Sequence, residues 1–173
     1  VARMRIARLG FIVLRSRRAA TPTVPEGFAP RVTVRVPAYN EAKVIDGSVR
    51  SLLRASYENL EVLVVDDGST DDTAGVVERL AEENPRVRCV RKANGGKASA
   101  ANVGLRHARG EIVVAVDADT VVSPNAIGRM VAHFTDPKVT AVCGNVEVGN
   151  VRSALTAFQA VEYVTSQNFD RRA

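Results

Sequence analysis

Tryptophan is absent from this 173-residue chain, and cysteine, histidine and methionine occur only twice each. Cys89 and Cys143 stand in apolar runs with no Cys or His neighbour at metal-ligand spacing. Both therefore read as buried reduced thiols, a usage that fits a cytosolic face. His107 and His133 fall on helical stretches with no second histidine nearby and read as surface or packing residues. No apolar run approaches the roughly 18 residues that cross a bilayer as a helix; FIVL at 11–14 is far too short. A secretory signal pattern is missing as well. The first residue is Val rather than Met, so the expectation is a piece of something longer. GxGxxG is absent, which counts against a nicotinamide site, and a Walker loop fails because its first glycine would fall at Arg91.

Acidic residues are also missing from the first 20 positions, which carry Arg3, Arg5, Arg8, Arg15, Arg17 and Arg18. Setting these six aside from the 24 basic residues leaves 18 against 19 acids, so the net charge of +5 is local and the body is near neutral. Nucleic-acid binding wants a basic face on the fold itself, so no nucleic-acid partner is expected. The basic arm suits the cytoplasmic flank of a membrane span, and a solvated tail equally well.

What is present alternates. Residues 1–30 read as basic arm and linker, with three prolines in TPTVPEGFAP at 21–30. A strand follows at 31–36, ended by Pro37, then an amphipathic helix at 42–55 with Val44, Ile45, Ser48, Val49, Leu52 and Leu53 at helical spacing. LEVLVV (60–65) is a second strand, and a helix through Val76, Val77 and Leu80 stops at Asn84-Pro85. VRCV (87–90) is a third strand, KASAANVGLRHA a helix of small residues closed by Gly110, and EIVVAV (111–116) a fourth strand. Ser123-Pro124 reads as a cap with proline at the first helical position, opening a helix with Ile127, Met130, Val131 and Phe134 on one face. VTAVCG (139–144) is a fifth strand, and a last helix from Ser153 places Leu155, Phe158, Val161 and Val164 together.

Strands alternating with helices predict an α/β fold: a mostly parallel sheet covered on both faces. Such sheets bind ligands at the carboxyl ends of their strands, near a switch in strand order. The polar clusters fall there: Asn40-Glu41, Asp66-Asp67, Asn94 to Lys97, and Asp117 with Asp119. Two carboxylates one residue apart at a strand end suit a hard cation, Mg²⁺ or Mn²⁺, that takes one or two carboxylates plus substrate phosphates. The lone lysine of GGKAS, at a helix start behind two glycines, suits a phosphate or other anion. DADTV also resembles the nucleophile motif of haloacid-dehalogenase-type phosphatases, which use an aspartyl-phosphate. In that family it sits on the first strand; here three strands precede it. Asp71 and Asp72 fall in a first helical turn and read as stabilising the helix dipole.

VPAYNEA (36–42), VVDDGSTDDT (64–73), NGGKASAANVG (94–104), VDADT (116–120) and QAVEY (159–163) follow in order. In that order and spacing the chain resembles family 2 glycosyltransferases of the GT-A fold over 31–173, nearly the whole body. It is most similar to the membrane-associated processive synthases of the chitin, hyaluronan, cellulose and poly-N-acetylglucosamine type. The resemblance implies a UDP-sugar donor (UDP-N-acetylglucosamine or UDP-glucose), a polysaccharide acceptor, and an inverting transfer to a β-linked product. Pro37, Ala38, Tyr39, Asn40 and Glu41 would border the nucleotide, Asp67 would face the uracil, and Lys97 would lie near the diphosphate. Asp117 would sit near the ribose and metal, and Asp119 would ligate Mg²⁺ or Mn²⁺. Gln159 and Glu162 would help position the following segment, or are simply a surface pair.

Two departures stand out. Arg35 interrupts a strand that should be apolar, so this position is either less buried than the pattern implies or has an acidic partner. The Gln-x-x-Arg-Trp motif of processive members is missing with tryptophan, and the family's general base is expected beyond Ala173. The expectation is therefore a truncated, donor-binding part with no catalytic base of its own, soluble as a fragment. Its parent would act at the cytoplasmic face of the cell membrane. A non-catalytic sugar-nucleotide-binding module is the alternative.

Overall fold

The computed structural model describes residues 22–144. The body, Thr23–Thr140, forms one compact unit. Its elements are β1 (Val32–Ala38), α1 (Ile45–Leu53), β2 (Leu60–Asp66), α2 (Thr73–Glu83), β3 (Val87–Arg91), α3 (Lys97–His107), β4 (Ile112–Ala115) and α4 (Ala126–Ala132). The four strands make one sheet in the order β3-β2-β1-β4, and every pairing is parallel. The chain builds outward from β1 through β2 to β3, then returns to the other side of β1. That reversal puts a ligand-binding switch point at the carboxyl ends of β1 and β4.

β2 is buried at all seven positions, as a central strand covered on both faces must be. Val32, Val34, Val36, Val62 and Val64 face α1 and α2 through Ile45, Val49, Leu52, Val77 and Leu80, with Ile127 and Val131 of α4 joining the same core. Each such side chain contributes about 1.5–3 kcal/mol by leaving water. Leu63 and Val65 face the other way, onto Ala100 of α3. The small residues of α3 let it lie close: a Cβ at Gly104 would come within 2.6 Å of Arg35 Cγ. Arg35 is half-buried, its aliphatic stem covering α3, and it has no acidic partner among the described residues. Its buried Nε makes no hydrogen bond.

Four local expectations need correction. β1 continues through Pro37 to Ala38. The Arg35 carbonyl accepts from Val116 N–H on the β4 side, and Pro37 has the same parity. Its missing donor thus faces a side where β4 has already ended its pairing at Ala115, and no ladder bond is lost. α4 begins at Ala126, because Ser123 and Pro124 form a preceding turn in which Ser123 O accepts from Ala126 N–H. Residues 139–144 hold no strand: an apolar run supplies propensity, but a strand exists only in a ladder, and β4 pairs with β1 alone among the described residues. Cys143 is exposed rather than buried; Cys89 is half-buried, with its thiol pushed up to about 11 chiefly by burial. The expected helix from Ser153, with Gln159 and Glu162, and the basic arm lie outside the described residues.

The opposite end of the sheet is tied by Glu61. Its buried carboxylate accepts from Thr33 Oγ1 at 2.7 Å and Arg109 N–H at 3.0 Å, and pairs with Arg31 and Arg88 at 3.2 and 3.3 Å. Burial alone would raise its pKa, but these hydrogen bonds and the Arg88 charge outweigh it and hold the carboxyl below its ordinary value.

Candidate functional site

The site is built from four chain segments leaving the carboxyl ends of the strands. After β1, Asn40 adopts φ 56°, a left-handed conformation that asparagine tolerates better than most residues. This turns the chain so that Asn40 N–H donates to Ser69 Oγ at 2.9 Å while Asn40 Oδ1 accepts from Thr70 N–H at 2.8 Å. Glu41 N–H donates to Thr73 Oγ1 at 2.8 Å and Ala42 N–H to Asp71 Oδ2 at 3.2 Å. Asp71 also accepts from the Thr73 amide and hydroxyl. Its carboxylate therefore stitches the loop after β1 to the start of α2, beyond the dipole role read from sequence, whereas Asp72 makes an exposed ion pair with Arg79.

After β2, Asp67 is buried and charge-paired with Lys92, and it accepts from Gly95 N–H at 3.1 Å. Burial would raise its pKa; the Lys92 ammonium and the Gly95 and Gly96 amides more than offset this and hold it low. Gly68, at φ 74°, permits a close crossing: a Cβ there would stand 2.7 Å from Asn94 N. The 92–96 segment is thus fastened to the end of β2, and Gly96 at φ 83° turns it into α3. Lys97 opens that helix, and its Nζ lies 2.7 Å from Asp117 Oδ1 at the exit of β4.

Asp117 and Asp119 are both exposed, on either side of buried Ala118. Their loop is anchored to the core by Ser51 of α1, whose buried Oγ accepts from Val122 N–H at 3.0 Å and donates to Ser48 O at 2.7 Å. Ser51→Ala is expected to cost about 1–2 kcal/mol in urea unfolding, because it leaves a polar group without its partner. Ser48 provides a contrast. Its hydroxyl is buried without any hydrogen bond, so Ser48→Ala should leave stability unchanged or raise it by up to about 1 kcal/mol.

A cavity of about 250 Å³ opens between these segments, lined by Pro37, Ala38, Tyr39, Glu41, Asp67, Lys97, Ala100, Asp117, Ala118 and Asp119. Of the nine candidate residues read from sequence, only Asn40 is not in the lining; its side chain holds the two loops instead. Lys92 and Ser51 escaped the sequence reading. The signal for Lys92 was a second lysine bracketing the NGG turn, and Ser51 gave none, since a helical serine looks like any surface residue. Asp119 has no hydrogen bond or ion pair among the described residues, and the Asp117 carboxylate has only Lys97. No group of three or more His, Cys, Asp or Glu side chains among the described residues could hold a metal ion unaided. Two accessible carboxylates without nitrogen or sulfur donors fit a hard divalent cation that draws its remaining ligands from phosphate and water.

Asp67 and Glu61 share a pH signature. Both carboxyls are more acidic folded than unfolded. Their contribution is full above the unfolded carboxylate range, about pH 4, and is lost as pH falls through the lower folded values. Unfolding free energy measured against pH should drop below about pH 4, with a shallower slope in Glu61→Gln.

Among the described residues no helix is long and apolar enough to cross a membrane. The chain matches Glycosyl transferase family 2 over residues 33–168. A poly-beta-1,6-N-acetyl-D-glucosamine synthase of Staphylococcus aureus (strain COL) is 35% identical over 135 residues, covering 78% of this chain and 33% of that protein. Chondroitin synthase of Pasteurella multocida (strain Pm70) is 39% identical over 112 residues, covering 65% of this chain and 12% of that protein. A mannosyltransferase from Pyrobaculum calidifontis, solved in complex with GDP-Man and Mn²⁺, superposes with a TM-score of 0.65 at 35% identity, over 78% of this chain and 41% of its own. TarS of S. aureus, solved with UDP-GlcNAc, gives 0.56 at 33% identity, over 62% of this chain and 31% of its own. The chain spans about a third of the length of the S. aureus synthase it matches. With its parallel sheet in the GT-A arrangement and a match across most of its length, the chain belongs to glycosyl transferase family 2.

Proposed function

We propose that this crevice binds a nucleoside-diphosphate sugar, and that the chain is the donor half of a metal-dependent glycosyltransferase building a polysaccharide. The observation that carries this reading is the convergence of Asp67, Lys97, Asp117 and Asp119 on one cavity at the switch point of a parallel sheet. In this reading Tyr39 and the loop after β1 flank the base, and Asp67 accepts a hydrogen bond from its ring N–H. Lys97 and the start of α3 face the diphosphate. Asp117 and Asp119 hold Mg²⁺ or Mn²⁺, which when bound offsets charge building on the leaving diphosphate. The carboxylates keep the phosphate end of the donor fixed, and the buried Asp67 fixes the base end, so the sugar is presented at a defined distance from both.

The donor we favour is UDP-N-acetylglucosamine or UDP-glucose. TarS was solved with UDP-GlcNAc and the S. aureus relative is a poly-N-acetylglucosamine synthase. The acceptor is a growing polysaccharide, transfer inverts to a β-linked product, and the parent protein works at the cytoplasmic membrane face. A chain without tryptophan cannot carry a Gln-x-x-Arg-Trp acceptor motif, and in this reading the general base and the acceptor contacts lie outside these residues. Calorimetry with UDP, with and without Mn²⁺, on this chain and on Asp119→Ala tests the reading. Mn²⁺-dependent binding that the substitution removes is the expected result. A folded chain that binds neither UDP nor GDP would refute it.

A further inference from the structure

Two groups of the site already hold one another. Lys97 Nζ lies 2.7 Å from Asp117 Oδ1, while Asp119 has no partner among the described residues. Both members of the pair are largely exposed, with side chains 74% and 60% accessible, so neither is locked by packing. Exposed ion pairs of this kind are weak and exchange partners readily. Lys97 is also the first residue of α3 after Gly95 and Gly96, and with its side chain 74% accessible the ammonium has room to swing.

In this arrangement the ammonium already sits on Oδ1 of Asp117. A divalent ion approaches a carboxylate oxygen to about 2.0–2.2 Å, and two cations on one carboxylate repel. Lys97, Asp117 and Asp119 together carry a net charge of only −1 to attract the ion. A diphosphate changes this balance, because it offers Lys97 a stronger anion than a single carboxylate. It also supplies the oxygens that a two-carboxylate site lacks.

We propose that Lys97 is an exchange residue that makes divalent-cation binding conditional on nucleotide. Without a nucleoside diphosphate it neutralises Asp117 and keeps cation affinity low. With one, it transfers to the phosphates and releases Asp117 to join Asp119. The coupling is reciprocal by linkage, so the cation tightens nucleotide by the same factor. This rests on the donor-site reading and adds an order to it: empty carboxylates are made available by the ligand they serve.

The test is Mn²⁺ binding to the nucleotide-free chain, followed by the electron paramagnetic resonance signal of the free ion, in the wild type, Lys97→Gln and Lys97→Gln/Asp119→Asn. Lys97→Gln is expected to bind Mn²⁺ about threefold to tenfold more tightly without nucleotide, as removal of an adjacent positive charge predicts. The added Asp119→Asn should cancel the gain. The factor by which UDP tightens Mn²⁺ should fall in Lys97→Gln. Unchanged or weaker nucleotide-free binding in Lys97→Gln would overturn the proposal, since a lysine serving phosphate alone gives the first and a structural lysine the second. Failure of the donor-site reading is separate: it would show as no UDP binding by the wild type.

Discussion

Gly110→Ala is expected to lower the unfolding free energy by about 3 kcal/mol, the upper end of what forced overpacking of a rigid site costs. Gly110 sits in the turn that feeds β4 into the sheet, and its N–H donates to Thr33 Oγ1 at 2.8 Å. A Cβ there would lie 2.7 Å from Val32 C and 2.8 Å from Arg31 O. Those are backbone atoms of the strand beside it, which cannot rotate away as a side-chain tip could. Relief requires β4 to move off β1, and that also disturbs the Thr33–Glu61 contact at 2.7 Å. Urea unfolding of the variant against the wild type measures the loss. A change below about 1 kcal/mol would mean the turn is far more compliant than its hydrogen bonds imply.

Asp67→Ala should have the largest effect on the site, with UDP binding lost to the limit of calorimetry and stability lowered by about 2–3 kcal/mol. The carboxylate is buried at the pocket wall and serves Lys92 and the Gly95 amide together. Removing it leaves an ammonium without its anion and frees the 92–96 segment that delivers Lys97. Lys92 is 17% accessible, so part of its charge can reach water, and this keeps the stability loss below that of a fully buried pair. Asp67→Asn separates the two effects. It retains the shape and an acceptor but not the charge, and should keep more stability than Asp67→Ala while still weakening UDP. Full UDP affinity in Asp67→Ala would remove Asp67 from base recognition.

Most residues named from the sequence meet at one cavity because each sits next to a strand end that is legible locally. Each of Tyr39, Asp67, Lys97 and Asp119 leaves a strand of strongly patterned residues, and parallel topology carries all strand ends to one side. What escaped was whatever depends on a distant neighbour. The role of Asn40 is fixed by Ser69 and Thr70, thirty residues away, so its polar side chain looked like a lining residue. Lys92 has meaning only because Asp67 is opposite it. Pro37 looked like a strand terminator because its missing donor is visible in sequence, whereas the side it faces is not. The 139–144 run failed for the same reason: its apolar residues state a preference, and a ladder needs a partner.

Pro37 also bears on the mouth of the crevice, which it lines. Hydrogen bonding between two parallel strands propagates like a zipper, each closed pair placing the next in register. β1 and β4 close from Val32 to Arg35 and then part. The next β1 residue of that parity is a ring nitrogen with nothing to offer, so the zipper has a stop at the first tooth beyond the gap. The covalent chemistry of that one residue rules out a further rung donated from β1 to β4. Ligand entry at this mouth need not break a backbone ladder first.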